Sequence, residues 1–101
     1  MNDISLTIRL PHELNTKLKE ISKQLGITKT SLIRSAIHDF LTVSNTKLDF
    51  SYSSEKSDRL VLNVNKLTYN ILQEACQTYN QSMNAIVIAV SLLVLERSTN
   101  F

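Results

Sequence analysis

The sequence contains one pattern twice, at an offset of 54 residues. Residues 4–41 and 58–95 each hold a short alternating stretch followed by two stretches of helical periodicity. Leu6, Ile8 and Leu10 align in this way with Leu60, Leu62 and Val64. One strand with two helices is too small to bury a core by itself. We therefore predict that the two copies fold against each other.

Composition limits the class of protein. A chain of 101 residues, 43% hydrophobic and 20% charged, can build one shared core but not two separate ones. The single cysteine, Cys76, allows neither an intramolecular disulfide nor a zinc cluster, and we expect it to be a small buried residue. Residues 1–10 alternate polar and apolar side chains and do not resemble a secretory signal, so the expected location is the cytoplasm.

The first copy begins with strict alternation. Apolar side chains on one face (Ile4, Leu6, Ile8, Leu10) alternate with Ser5, Thr7 and Arg9 on the other, which predicts a half-buried strand. Pro11 fits the first turn of a helix, and Leu14, Leu18, Ile21 and Leu25 form the apolar stripe of that helix. Gly26 is the expected C-cap.

A second helix is predicted after Gly26. Thr28 is a good N-cap for it, and its expected buried face is Leu32, Ile33, Ala36, Ile37, Phe40 and Leu41. With this helix the first copy spans residues 1–42, and residues 43–57, rich in Ser, Thr and Asn, read as a linker. Leu48, Phe50 and Tyr52 alternate within the linker, so part of it is expected to lie extended on the domain.

The second copy, residues 58–101, follows the same plan with substitutions. Arg59, Val61 and Asn63 form the outer face of its strand. Where the first copy enters its helix through a Leu-Pro pair, the second has Asn65 as the N-cap of a helix over Lys66 to Tyr79. Ser82 is the expected cap of a last helix, Met83 to Arg97, which is apolar nearly all round. Such a helix either lies at the centre of the shared core or also forms an oligomer interface. Its apolar run Ala85 to Leu95 holds eleven residues, well short of the roughly 20 that span a bilayer.

The net charge of +2 is too small for a broad electrostatic grip on nucleic acid. The excess of positive charge lies in the first copy, which contains six basic and four acidic residues. Any binding to nucleic acid would therefore depend on a few well-placed contacts.

These elements together resemble the ribbon-helix-helix family of transcription regulators, the Arc and MetJ type. The resemblance covers the strand ISLTIRLP, the helix that follows it, the Gly26 turn and the helix capped by Thr28. The second copy lacks the proline and the glycine. The chain as a whole is similar to the tandem regulators of archaeal viruses, in which one polypeptide does the work of a dimer. The implied fold is mostly α with a two-stranded antiparallel ribbon, built from two intertwined repeats that form a pseudodimer. A viral protein would act in the host cytoplasm.

The resemblance implies a partner and contact residues. The partner is double-stranded DNA, and the outer face of the ribbon reads bases in the major groove. The implied base-contacting residues are Ser5, Thr7, Arg9, Arg59, Val61 and Asn63. The start of each second helix would hold a phosphate, which assigns Thr28, Lys29, Thr30, Ser82, Met83 and Asn84 to the DNA backbone. Two unlike strands leave no true twofold axis, so a half-site need not be palindromic.

No other chemistry stands out in the sequence. His12 and His38 have no second ligand at helical spacing, no glycine-rich phosphate loop is present, and the carboxylates are scattered. We expect no catalysis, cofactor or metal. Two alternatives stay open: an antitoxin-like DNA-binding module, and a protein-interaction scaffold that uses the apolar last helix.

Overall fold

The computed structural model describes residues 3–42, 47–52 and 55–98. Within these ranges the chain forms two strands and four helices, and the order strand, helix, helix occurs twice. The first unit is β1 (Ile4–Pro11), α1 (His12–Leu25) and α2 (Lys29–Leu41); the second unit is β2 (Ser57–Val64), α3 (Lys66–Tyr79) and α4 (Met83–Ser98). The predicted elements are therefore confirmed, with ends shifted by one or two residues.

The two strands pair with each other as an antiparallel ribbon. Ile4 lies opposite Val64 and Pro11 opposite Ser57, so the ribbon spans eight residues of each strand. Alternate side chains point inward, and Ile8, Leu10, Leu62 and Val64 are almost completely buried against the helices. The opposite face of the ribbon points away from the core.

Helix α1 begins one residue later than its sequence suggests. Pro11 ends β1 and serves as the N-cap of α1, with φ −52° and ψ 138°, instead of occupying the first helical turn. The extended conformation of Pro11 allows His12, the next residue, to donate its backbone N–H to the carbonyl of Lys56, so the ladder of the ribbon continues past the proline. Gly26 ends the helix in the left-handed region, as predicted.

The other predicted caps are confirmed. The hydroxyl of Thr28 accepts the N–H of Ser31, the side chain of Asn65 accepts that of Thr68, and Ser82 Oγ accepts that of Ala85 at 3.1 Å. Asn80 takes the place of Gly26 in the second unit, with φ 53°. Asparagine tolerates the left-handed region better than most residues, which explains how the second unit turns without a glycine.

Helix α4 is central to the core. It packs against α1, α2, α3 and β1. Ile86, Val87 and Val90 are completely buried, and the hydroxyl of the buried Ser91 donates to the carbonyl of Val87. Because α4 packs against four elements, nearly every side of the helix is apolar.

The described part of the linker lies against the second unit. Leu48 and Phe50 pack on the core cluster, and the Phe50 ring lies 5.6 Å from the ring of Tyr79. Phe50 and Tyr52 line a small pocket with Ala85 and Ile88 of α4. The linker thus packs on the domain as predicted; its residues 43–46 and 53–54 lie outside the described ranges.

Candidate nucleic-acid interface

The outer face of the ribbon carries all six residues that the family resemblance implies as base contacts. They form three directly facing pairs: Ser5 with Asn63, Thr7 with Val61, and Arg9 with Arg59. All six side chains are exposed. Alternation in each strand and the antiparallel register together gather them into one patch, the ribbon face.

The backbone N–H and C=O groups of the ribbon-face residues point away from the opposite strand. Arg9 directs its N–H and C=O to the side chain of Asn84, and Asn63 directs its C=O to Arg34. The ribbon-face pairs are therefore the non-hydrogen-bonded pairs of the ladder, whose Cα atoms lie about 4.5 Å apart and whose side chains are closest.

Two arginines face each other on this patch. Within the described part of the chain, neither the Arg9 nor the Arg59 side chain has a hydrogen-bond or ion-pair partner. Like charges directly opposite in a sheet destabilise it, so folding alone does not account for this pair. An anionic ligand would relieve the repulsion.

The rest of the ribbon face is neutral. The Ser5 hydroxyl donates to Oδ1 of Asn63 at 2.7 Å, which fixes the amide with its N–H groups directed away from Ser5. Val61 at the middle adds an apolar side chain that is 45% exposed. Together the face offers guanidinium donors, an oriented amide and an apolar surface, the three kinds of group that read base edges.

Helix α2 packs against β2 and α4 against β1, and Asn84, in the first turn of α4, bonds to the ribbon backbone at Arg9. Each helix leaves its first amide groups without an intrahelical acceptor: Lys29 and Thr30 in α2, Met83 and Asn84 in α4. The Thr28 and Ser82 hydroxyls are used as caps. The predicted phosphate contacts would thus come mainly from backbone N–H groups.

Asn84 also has a structural contact that the sequence did not reveal. Its Oδ1 accepts the Arg9 N–H at 2.7 Å and its Nδ2 donates to the Arg9 carbonyl at 3.1 Å. One amide N–H remains for a phosphate. The pair of bonds fastens the start of α4 to the ribbon at Arg9.

Replacing Asn84 with alanine is expected to lower the free energy of unfolding by about 1–3 kcal/mol, because two backbone groups of Arg9 lose their partner. Urea denaturation measures this change. Asn70→Ala, on the exposed side of α3, is the matched control and should leave stability nearly unchanged. Equal midpoints for the two variants would show that the contact does not hold the ribbon.

Arg34 is a second residue that sequence reasoning missed. Its guanidinium donates to the Asn63 carbonyl at 3.2 Å and to the Ser31 hydroxyl at 3.2 Å. It therefore adds a cation at the Asn63 end of the ribbon. A basic residue five positions after the predicted phosphate contact Lys29 was the available signal.

A polar network links the helices to β2. Lys29 donates its ammonium to Oδ1 of Asn15, and Asn15 donates to Oδ2 of Asp58 at 2.8 Å. Nδ1 of His12 lies 2.9 Å from the same Asp58 oxygen. Burial and nearby Lys19 lower the pKa of Lys29, although Asp58 opposes this. The Lys29 ammonium thus supports the helix start as well as being a candidate phosphate contact.

The hydrogen bonds from Asn15 and His12 hold the pKa of Asp58 below its ordinary value. A carboxyl group whose pKa is lower in the folded chain stabilises the fold above its unfolded pKa, about 3.9, and loses this contribution as the pH falls through the folded pKa. We therefore expect the Asp58→Asn variant to lose less stability than wild type between pH 5 and pH 2. Urea midpoints across this range test it, with Asp39→Asn as control; parallel wild-type and Asp58→Asn curves would contradict it.

Two further titratable side chains, His38 and Cys76, lie partly buried in the fold. Nε2 of His38 lies 2.7 Å from the Thr68 hydroxyl, and partial burial raises the pKa of the Cys76 thiol. Cys76 is half-buried against the core instead of fully buried. Within the described ranges, no three His, Cys, Asp or Glu side chains come together as metal ligands.

Among the described helices, none is by itself long and apolar enough to cross a membrane. Helices α3 and α4 reach that length and composition only as a pair, with a bend of 97° between them.

Comparison with known proteins supports the reading of the first unit. No curated protein and no solved structure matches the chain. A family model does match, over β1, α1 and α2. Residues 2–42 match the model of the ribbon-helix-helix domain. Domains of this class are typically found in DNA-binding regulators and typically bind DNA as dimers.

Proposed function

We propose that this protein is a sequence-specific regulator of transcription that inserts its ribbon into the major groove of double-stranded DNA. One observation carries the proposal: the six implied base-contacting side chains form three facing pairs on an exposed surface, and the two arginines among them have no partner among the described residues. The match of residues 2–42 to a DNA-binding domain family supports it.

The dimensions suit the groove. Two paired strands lie about 4.8 Å apart, and the major groove is about 12 Å wide. In this arrangement Arg9 or Arg59 binds guanine O6 and N7, Asn63 pairs with adenine, and Val61 or the Thr7 methyl group contacts a thymine methyl.

Phosphate contacts would fix the ribbon in the groove. The free N–H groups at the start of α2 and of α4, together with the positive end of each helix dipole, are suited to one DNA phosphate each. The proposed contacts are Thr28, Lys29 and Thr30 on α2, and Ser82, Met83 and Asn84 on α4. A contact set this small predicts a shallow salt dependence, since each neutralised phosphate adds about 0.9 to the log-log slope.

The two units form, in this proposal, a single-chain pseudodimer. Residues 1–42 and 58–101 are the repeats and residues 43–57 connect them. The pairing of β1 with β2 and the shared core around α4 support this division. A viral source, and the host cytoplasm as the place of action, belong to the same proposal.

The last helix is proposed to support pairing of two chains on DNA. Most of α4 is used by the core, but Leu92, Leu93 and Leu95 keep partly exposed surface near its end. The symmetry of an operator would then come from the pairing of chains.

A protein-interaction scaffold is the second candidate. It is favoured by two large apolar side chains beside the α1–α2 turn, Leu25 at 61% and Ile27 at 42% exposed. An antitoxin-like module would combine DNA binding with such a protein partner. Salt-sensitive retention on mixed-sequence DNA is expected for the regulator and the antitoxin-like module, and not for the scaffold.

The proposal is tested by selection from a randomised DNA pool with sequencing of the retained fraction. Wild type is compared with the Arg9→Ala/Asn63→Ala variant, and Lys23→Ala/Gln24→Ala on the exposed end of α1 is the matched control. We expect a motif that the ribbon variant loses and the control keeps. No enrichment by wild type at low or moderate salt would overturn the proposal.

A further inference from the structure

The register places the centre of the ribbon at Thr7 and Val61. These facing residues are 61 − 7 = 54 positions apart, which is the offset that aligns the two halves of the sequence. Aligned positions therefore lie at opposite ends of the ribbon. Arg9 aligns with Asn63 and Ser5 aligns with Arg59, and the two residues of each aligned pair differ in kind.

The two ends of the ribbon face differ in chemistry as a result. Two identical strands would place one copy of each aligned residue at both ends, so the ends would be the same. Here one end holds the Arg9–Arg59 pair, and the other holds the Ser5–Asn63 pair. The first offers only donors and two positive charges, and the second offers a neutral amide whose oxygen accepts from Ser5 at 2.7 Å.

Each end suits a different base. Guanidinium groups are suited to the O6 and N7 acceptors of guanine, and an asparagine amide donates to N7 and accepts from N6 of adenine. The Asn63 oxygen has a second lone pair after accepting from Ser5, so the hydrogen bond orients the amide without consuming it. Ser5 acts here as a positioning residue for Asn63.

We propose that one chain reads a directional DNA element, with guanine at the Arg9–Arg59 end and adenine at the Ser5–Asn63 end. The inference rests on the proposed function and specifies its substrate. The ends are four residues apart on each strand, or about 13 Å at about 3.3 Å per residue. At a rise of about 3.4 Å per base pair, guanine and adenine are separated by about four base pairs.

The selection can be restricted to one chain. The domain measures 31 × 29 × 28 Å, which covers about nine base pairs of duplex at a rise of about 3.4 Å. A randomised window of about eight base pairs between constant flanks therefore exposes one ribbon to variable sequence. The expected motif is not palindromic and has guanine and adenine at the stated separation.

Single substitutions in the full chain then show which end of the ribbon recognises which base. Arg59→Met should relax the base preference only at the guanine position, and Asn63→Ala only at the adenine position, each by about 5- to 150-fold in binding discrimination. Ser5→Ala should weaken the adenine preference while the guanine preference is kept. Circular dichroism checks that each variant is folded.

The outcomes separate the two proposals. A palindromic motif in the eight-base-pair window, or loss of the same base preference in Arg59→Met and Asn63→Ala, would overturn the directional reading and leave the DNA-binding function standing. No enriched motif in wild type would overturn the proposed function itself. As a converse test, Ser5→Arg/Asn63→Arg gives both ends two arginines and should convert the selected motif to one with guanine at both ends.

Discussion

A chain in which Arg9 and Arg59 are both replaced by methionine is expected to lose about 1–3 kcal/mol of site-specific DNA binding, the range for one bidentate contact to guanine. Methionine keeps the unbranched stem and removes the charge and all donors. The loss should be greatest on the selected motif and small on mixed-sequence DNA. Titration of a labelled duplex at two salt concentrations measures both.

The same variant is not expected to lose stability. The two guanidinium groups face each other and have no hydrogen-bond or ion-pair partner in the described ranges, so their removal relieves a repulsion. Unfolding by urea should show an unchanged or higher midpoint. Lys17→Met/Lys23→Met removes the same charge from the outer side of α1 and is the control for net charge. A ribbon variant that binds the motif as well as this control would contradict the proposed role of the arginines.

Ile86→Ala in α4 is expected to lower the free energy of unfolding by about 2–5 kcal/mol, because it leaves a cavity in a core that relaxes only partly. Ile86 is completely buried in the core cluster, which contains residues of both strands and all four described helices. A domain of this size is stable by about 5–15 kcal/mol, so the change removes a large part of the total. Urea denaturation followed by circular dichroism measures it.

The matched control is Leu67→Ala at the start of α3, where the side chain is 62% exposed. Its effect is expected to stay within about 0.5 kcal/mol. Both units should also unfold in one transition in the Ile86→Ala variant, because they share one core. Separate transitions, or similar losses for the two variants, would show that α4 does not join the units.

Local features of the sequence were enough to predict the elements. Alternation at Ile4 to Leu10 and at Leu60 to Val64 specified the strands because one face of each is buried. Thr28 and Asn65 marked helix starts through side chains that satisfy a free N–H. Pro11 was misplaced by one residue because its ring favours both an extended strand end and a first helical turn.

The contacts between elements could not be predicted in the same way. The bonds of Asn84 to Arg9 and of Arg34 to Asn63 join residues 75 and 29 positions apart, and they exist only in this strand register. The network of Lys29, Asn15 and Asp58 is of the same kind. Asp58 did carry one signal, since it stands where the first copy has the apolar Ile4.

The ribbon joins two strands of the same polypeptide. Its formation therefore depends on protein concentration in a different way from that of a ribbon shared by two chains. A two-chain ribbon comes apart on dilution, because its stability depends on protomer concentration. Here β1 and β2 belong to one chain, so their pairing is an intramolecular event that does not depend on protein concentration. The ribbon is therefore complete in every folded molecule, even when only a few copies are present.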